Sequence, residues 1–136
     1  MSIHSEAKLN VKFVQMAKLM NIYLNHFPNH EKYALSQQIR NCMYDLYKLI
    51  VEGQKRYHKK TTLKDIDVTH EQLRMLVNLA NAFGYFSFKN TKRDSVKDGV
   101  KRFFAITRQI DEIGKMIGGW IKSFYQLEQR ELSKNV

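Results

Sequence analysis

From Ile106 to Phe124 the chain carries an apolar residue at every third or fourth position: Ile106, Ile110, Ile113, Ile117, Ile121 and Phe124. A helix turns about 100° per residue, so this spacing gathers the side chains on one face, and that face has to be buried. The same stretch holds Gly114, Gly118, Gly119 and Trp120. A glycine inside a helix costs roughly 1 kcal/mol relative to alanine, so three of them so close together call for a compensating gain. Close approach of a neighbouring backbone is the natural source, and the spacing predicts a tightly packed helix.

The rest of the chain has to supply partners for that face. One proline and six glycines in 136 residues leave too few turn formers for an all-β fold. The long periodic runs instead predict an all-α protein, an up-down antiparallel four-helix bundle in one domain, residues 1–128, with 129–136 a flexible tail. The first helix is expected from Ser5 to His26, with Leu9, Phe13, Met16, Met20, Tyr23, Leu24 and Phe27 inward, and Pro28 stops it. Asn29 is expected to cap a second helix reaching Tyr57, with Leu35, Ile39, Met43, Leu46, Ile50 and Gly53 inward. After a basic connection, Thr69 and Gln72 have the spacing of a capping box, which predicts a third helix from Val68 or Thr69 to Phe86, its core formed by Leu73, Leu76, Ala80 and Phe83. The polar stretch Ser87 to Arg102 reads as loop or frayed helix, and a fourth helix is expected from Val100 to Glu128.

The 23 Lys and Arg against 13 Asp and Glu give a net charge of +10, a field that attracts polyanions. Lys101, Arg108, Lys115 and Lys122 recur every seven residues and run down the fourth helix opposite its isoleucines. They span roughly 30 Å at 1.5 Å per residue, a length suited to a run of phosphates. A solvated helix face accounts for the same pattern. A second group, Lys55, Arg56, Lys59, Lys60 and Lys64, surrounds Tyr57 and His58, rings suited to base stacking or to an interface. Arg74 adds a further candidate phosphate contact on the third helix. No helix-turn-helix, zinc knuckle or RNA-binding sheet motif is present, so any preference is expected to be for shape.

On the second helix Tyr44, Tyr47 and Val51 lie well away from the inward stripe. Tyrosines are ordinary on surfaces, but three such residues in one strip suggest contact between subunits and a homo-oligomer.

Catalysis finds little support. His4, His26, His30, His58 and His70 are expected at helix ends and loops without a second ligand at zinc spacing, and Cys42 reads as a small buried hydrophobe. No phosphate-binding loop, dinucleotide fingerprint or nucleophile elbow occurs. Asp111 and Glu112 adjoin but point to different sides of a helix. The expectation is a protein without catalytic residues, metal, cofactor or small-molecule substrate. With no long apolar run, signal peptide or lipidation motif, it is also expected to be cytoplasmic and away from membranes.

Two motifs carry a family likeness: HFPNHEKYALSQQIRNCMYDLYKLIVEG, from Phe27 and Pro28 to Gly53 at its centre, and IDEIGKMIGGWIKS, with Asp111 to Lys122 at its centre. With LRMLVNLA of the third helix they resemble the accessory variability determinants of diversity-generating retroelements, within a four-helix-bundle family that also includes proteins encoded in ribosomal-RNA intervening sequences. The Gly-Gly-Trp-Ile-Lys run resembles the first branch more than the second, whereas Ser87 to Arg102 is longer than the family's usual link between its last two helices. The resemblance implies a pentameric, barrel-like homo-oligomer that binds RNA or DNA and a reverse transcriptase, which performs the chemistry. It also implies that Phe27, Pro28, Gly114, Gly118, Gly119 and Trp120 are architectural. A stand-alone structural or protein-interaction module of the intervening-sequence type is the alternative.

Overall fold

A computed structural model describes residues 1–89 and 96–134. Among them are four α-helices and no strand: α1 (Ile3–Asn25), α2 (Leu35–Lys55), α3 (Lys60–Ala82) and α4 (Val96–Lys134), with a short 3-10 turn, Asn29–Glu31, before α2. Each helix packs on the next, and α4 closes the bundle against α1.

The predicted stripes of α1, α2 and α4 form the core. Leu9, Phe13, Met16 and Met20 of α1 meet Ile39, Met43, Leu46 and Ile50 of α2 and Ile106, Ile110, Ile113 and Ile117 of α4, all buried. Ile121 and Phe124 are half-buried at the edge of the cluster. α1 starts at a conventional cap, the Ser2 hydroxyl accepting from the Ser5 amide at 3.1 Å.

Several helix boundaries differ from those predicted, α2 also ending at Lys55 rather than Tyr57. Asn29 opens the 3-10 turn rather than α2, which begins six residues later behind Ala34. α3 begins at Lys60, eight residues before Val68, so Thr69 and Gln72 lie inside it and form no capping box. The physical reason is that Leu63 and Ile66 continue the spacing of His70, Leu73, Val77 and Ala80, and nothing between Lys60 and Thr69 breaks a helix. α3 stops at Ala82 because Gly84 adopts a positive φ of 79°, and the Tyr85 amide turns back onto the Ala80 carbonyl at 3.0 Å. That turn leaves Phe83 outside and carries Phe86 into the core, reversing the expected burial of Phe83.

The other end of the chain is also more helical than expected. α4 starts at Val96, so the second half of the Ser87 to Arg102 stretch is helix, while residues 90–95 of it lie outside the described residues. α4 continues through 129–134, the stretch read as a tail; residues 135–136 lie outside the described residues.

A polar pin crosses each of the four grooves between helices. Asn10 and Gln54 exchange amide hydrogen bonds across α1 and α2 at 3.2 and 3.0 Å. The Cys42 thiol faces the Thr69 carbonyl across α2 and α3 at 3.5 Å. His70 Nε2 reaches the Ile110 carbonyl across α3 and α4 at 2.8 Å, and Lys12 pairs with Glu112 across α1 and α4 at 3.5 Å. Near the base, Trp120 of α4 lies against Gly53 of α2, where a Cβ would stand 2.8 Å from the ring. The Trp120 ring reaches α2 this closely only because position 53 has no side chain.

Candidate nucleic-acid interface

The ten cations singled out from the sequence fall into two regions and one outlier. Lys101, Arg108, Lys115 and Lys122 are all exposed along the outer face of α4, diametrically opposite its buried isoleucines. Among the described residues none of the four is ion-paired. Lys97 and the exposed Phe104 fall on the same helical face, and sequence reading missed both. A search of that face for every residue at i, i+3, i+4 and i+7, rather than for the heptad cations alone, finds them.

The second region is the connection at the base of the bundle, which is shorter than the sequence suggests. Only Arg56 to Lys59 lie between the helices; Lys55 is the last residue of α2 and Lys60 the first of α3, with Lys64 exposed one turn on. The α3 N-terminus has no side-chain cap and no acidic residue in its first turn. Its free amides and the helix dipole therefore add positive potential to Lys59 and Lys60, the reverse of the usual charge placement at a helix start. Lys59 stands 5.8 Å from the Trp120 ring. Two cations here are partly offset: Arg56 pairs with Glu52 at 2.8 Å and Lys60 with Glu128 at 3.6 Å.

Arg74 belongs to neither region. Its guanidinium makes two hydrogen bonds to the Glu71 carboxylate, at 2.7 and 3.2 Å, and that hydrogen bonding, with the charges of Glu71 and Asp111, holds its proton more firmly than usual. A phosphate there would have to displace a formed carboxylate pair.

Tyr44, Tyr47 and Val51 are 52%, 39% and 41% exposed, with Tyr47 stacked on Phe13 at 5.0 Å. They do not stand alone. Val11, Val14 and Ile22 of α1 are also exposed, so α1 is apolar on its outer face as well as its inner one. A groove of about 350 Å³ between α1 and α2 is lined by Val14, Ala17, Met43, Tyr44 and Tyr47. Exposed Val68, Met75 and Leu79 give α3 a second apolar strip that the sequence reading passed over.

The residues read as architectural divide. Phe27 is buried edge-on against Phe86 at 5.3 Å, Pro28 precedes the 3-10 turn, and Trp120 is buried against Gly53. Gly114 is packed tightly against His70, as expected of that helix. At Gly118 and Gly119, by contrast, an added Cβ would meet nothing within 4 Å, so close packing inside the protomer does not account for them.

His70 corrects the placement of the histidines at helix ends, since it is buried in the middle of α3. Its bond to a carbonyl requires the proton on Nε2. Cys42 is buried, and burial together with the Asp45 charge pushes its thiol up to about 11. Among the described residues no three His, Cys, Asp or Glu side chains gather as a metal site, and no helix is long and apolar enough to cross a membrane.

With the bundle and its basic surfaces in view, comparison with known proteins gives one match. The family model described as bAvd-like covers residues 8–124. No curated protein and no solved structure matches the chain. The protein belongs to the bAvd-like family, and the match fits an accessory protein of that type.

Proposed function

We propose that this bAvd-like protein is the accessory factor of a diversity-generating retroelement. In this reading a homo-oligomer, a pentamer by family resemblance, holds template RNA, cDNA or their hybrid beside a reverse transcriptase and performs no chemistry itself. The observation that carries the nucleic-acid part is the row of Lys101, Arg108, Lys115 and Lys122, exposed and without ion-pair partners among the described residues. Four cations held in a row on a rigid helix match a run of phosphates and read no base sequence. Oligomerisation would repeat the row around the assembly and strengthen the field.

The test is light-scattering mass of the purified protein, alone and with a structured RNA, followed by affinity at two salt concentrations. If the row neutralises four phosphates, affinity falls about a hundredfold between roughly 50 and 200 mM salt. Reversing the two charges that flank Arg108 in the row, with Lys101→Glu and Lys115→Glu together, abolishes most of that dependence. Affinity that hardly changes with salt sinks the proposal, and a monomer indifferent to RNA returns the chain to the stand-alone interaction module.

A further inference from the structure

The base of the bundle holds a pocket of about 590 Å³ between the α2–α3 connection and the last turns of α4. Its chemistry differs from that of the α4 row. Trp120 and Phe124 give it an apolar wall, and Tyr57 stands beside them with 85% of its surface exposed. Tyr57 meets His58 edge to face, ring centres 4.9 Å apart and planes at 85°, so a planar ligand is offered a face of one ring and an edge of the other. Arg56 and Lys59 line the pocket on the connection side, and Glu128 and Glu131 line it on the α4 side.

We propose that this pocket takes one unpaired base of single-stranded RNA or DNA, stacked on Tyr57, with its phosphates toward Lys59, which forms no ion pair among the described residues, and its Watson–Crick edge toward Glu131. The proposal rests on the nucleic-acid reading above and adds a base-contacting site to it. Charge sets the orientation. In the stretch from Lys55 to Lys64 no residue is acidic, and although Arg56 and Lys60 are offset by Glu52 and Glu128, Lys55, Lys59 and Lys64 form no ion pair among the described residues, which favours phosphate on that side. The two carboxylates on the opposite wall repel it. Glu128 is occupied by Lys60, whereas Glu131 forms no ion pair among the described residues. An ionised carboxylate only accepts hydrogen bonds, so Glu131 favours bases with an exocyclic amino group and disfavours uracil and thymine, whose carbonyls flank their one N–H.

The orientation also explains an exposed tyrosine in so short a connection. Its ring contributes little to the core, and stacking a base against such a ring is worth about five- to a hundredfold in affinity. An aromatic platform ringed by cations binds single strands without needing a groove-reading helix.

Fluorescence anisotropy with labelled single strands of about ten nucleotides, cytidine or uridine, tests the proposal on the full chain; that length leaves room for phosphate contacts on either side of the stacked base. The wild-type protein is expected to bind the cytidine strand more tightly. Tyr57→Ala should weaken both strands at least fivefold with the salt slope unchanged, because no phosphate contact is lost, and Tyr57→Phe should keep wild-type affinity. Glu131→Gln, which can donate as well as accept, should bring the two affinities together. Salt-sensitive binding with equal affinity for both strands, unaffected by Tyr57→Ala, overturns the pocket and leaves the α4 row standing. Absence of salt-sensitive binding to any strand overturns both readings. A change in oligomer mass on Tyr57→Ala would make the pocket a subunit interface and also overturn the proposal. Tyr57 is too exposed for its loss to unfold the protein, and circular dichroism confirms that each variant is helical.

Discussion

The His70 imidazole occupies the space that a side chain at Gly114 would need: a Cβ there would lie 2.6 Å from Cε1 and 3.0 Å from Nε2. The ring is held in place by its bond to the Ile110 carbonyl one turn away on α4. Helices α3 and α4 therefore meet through a histidine on one and an absent side chain on the other.

Gly114→Ala and Gly119→Ala should consequently shift stability in opposite directions. Alanine gains about 1 kcal/mol over glycine within a helix, and at position 119 it meets nothing in the protomer, so denaturation should show that gain. At position 114 the overlap with a tethered ring costs about 1–3 kcal/mol and the histidine hydrogen bond is strained or lost, so the net effect is destabilising. Adding His70→Ala removes the ring and should recover much of the Gly114→Ala penalty in a double-mutant cycle. A Gly114→Ala protein as stable as wild type would contradict the packing. Loss of oligomer mass in Gly119→Ala would place a neighbouring subunit over the two open glycines.

Arg102 should fasten the chain that follows α3. Its Nη1 donates to the Phe86 and Phe88 carbonyls at 2.8 and 2.7 Å, and its guanidinium lies 3.8 Å over the Phe88 ring, which stacks on His26. Arg102→Ala is expected to lower stability by about 2–3 kcal/mol through charge-assisted bonds and stacking. Arg102→Lys should recover only part, since an ammonium lacks the planar fork. Hydrogen exchange checks where the loss falls: Ser87 should lose protection before the middle of α4.

These relationships show where the sequence was legible. The stripes Leu9 to Leu24, Leu35 to Gly53 and Ile106 to Ile117 were visible because a single period runs unbroken through each. The start of α3 was hidden because Leu63 and Ile66 are interleaved with Lys60, Lys64, Asp65 and Asp67, and the cation run outweighed two apolar residues. Burial of His70 was invisible because it depends on Gly114, a distant glycine on another helix, a tertiary match with no local trace. The outer face of α1 escaped notice because Val11, Val14 and Ile22 matter only once the inner face is known to be filled. Among the basic residues, spacing alone separated the α4 row from its core, but it could not show that Arg74 is engaged by Glu71 while Lys101 is not.

Cys42 should resist thiol reagents in the native state. With its thiol pushed up to about 11 from an ordinary 9.0, native thiolate at about pH 8 is about a hundredfold scarcer than in the unfolded chain, and burial slows access further. A disulfide reagent under those conditions should label the protein slowly and then at once on denaturation. The raised value also sets a direction. The fold favours the neutral thiol, so its contribution is complete below about pH 9 and is lost as pH rises toward 11. Cys42→Ala should lessen the fall in stability across that interval. Fast labelling of the native protein would show that the α2–α3 groove opens.

Tyr44 offers the cleanest test of subunit contact, because Tyr47 also stacks on Phe13 and its replacement would disturb the protomer itself. Tyr44 lines the α1–α2 groove beside Val14 and Ala17 and has no aromatic partner among the described residues. Placing a lysine there costs the isolated bundle little, since half the side chain is already in solvent. Within an apolar interface it introduces an unpaired charge that has to be desolvated, a penalty of several kcal/mol repeated at every contact of a ring. Tyr44→Lys should therefore reduce the light-scattering mass toward that of the monomer while helical content and thermal midpoint stay near wild type. Val11→Lys on the facing helix should act in the same way. If both variants retain the wild-type mass, the α1–α2 strip is not the subunit contact. The apolar strip of Val68, Met75 and Leu79 on α3 then becomes the surface to change.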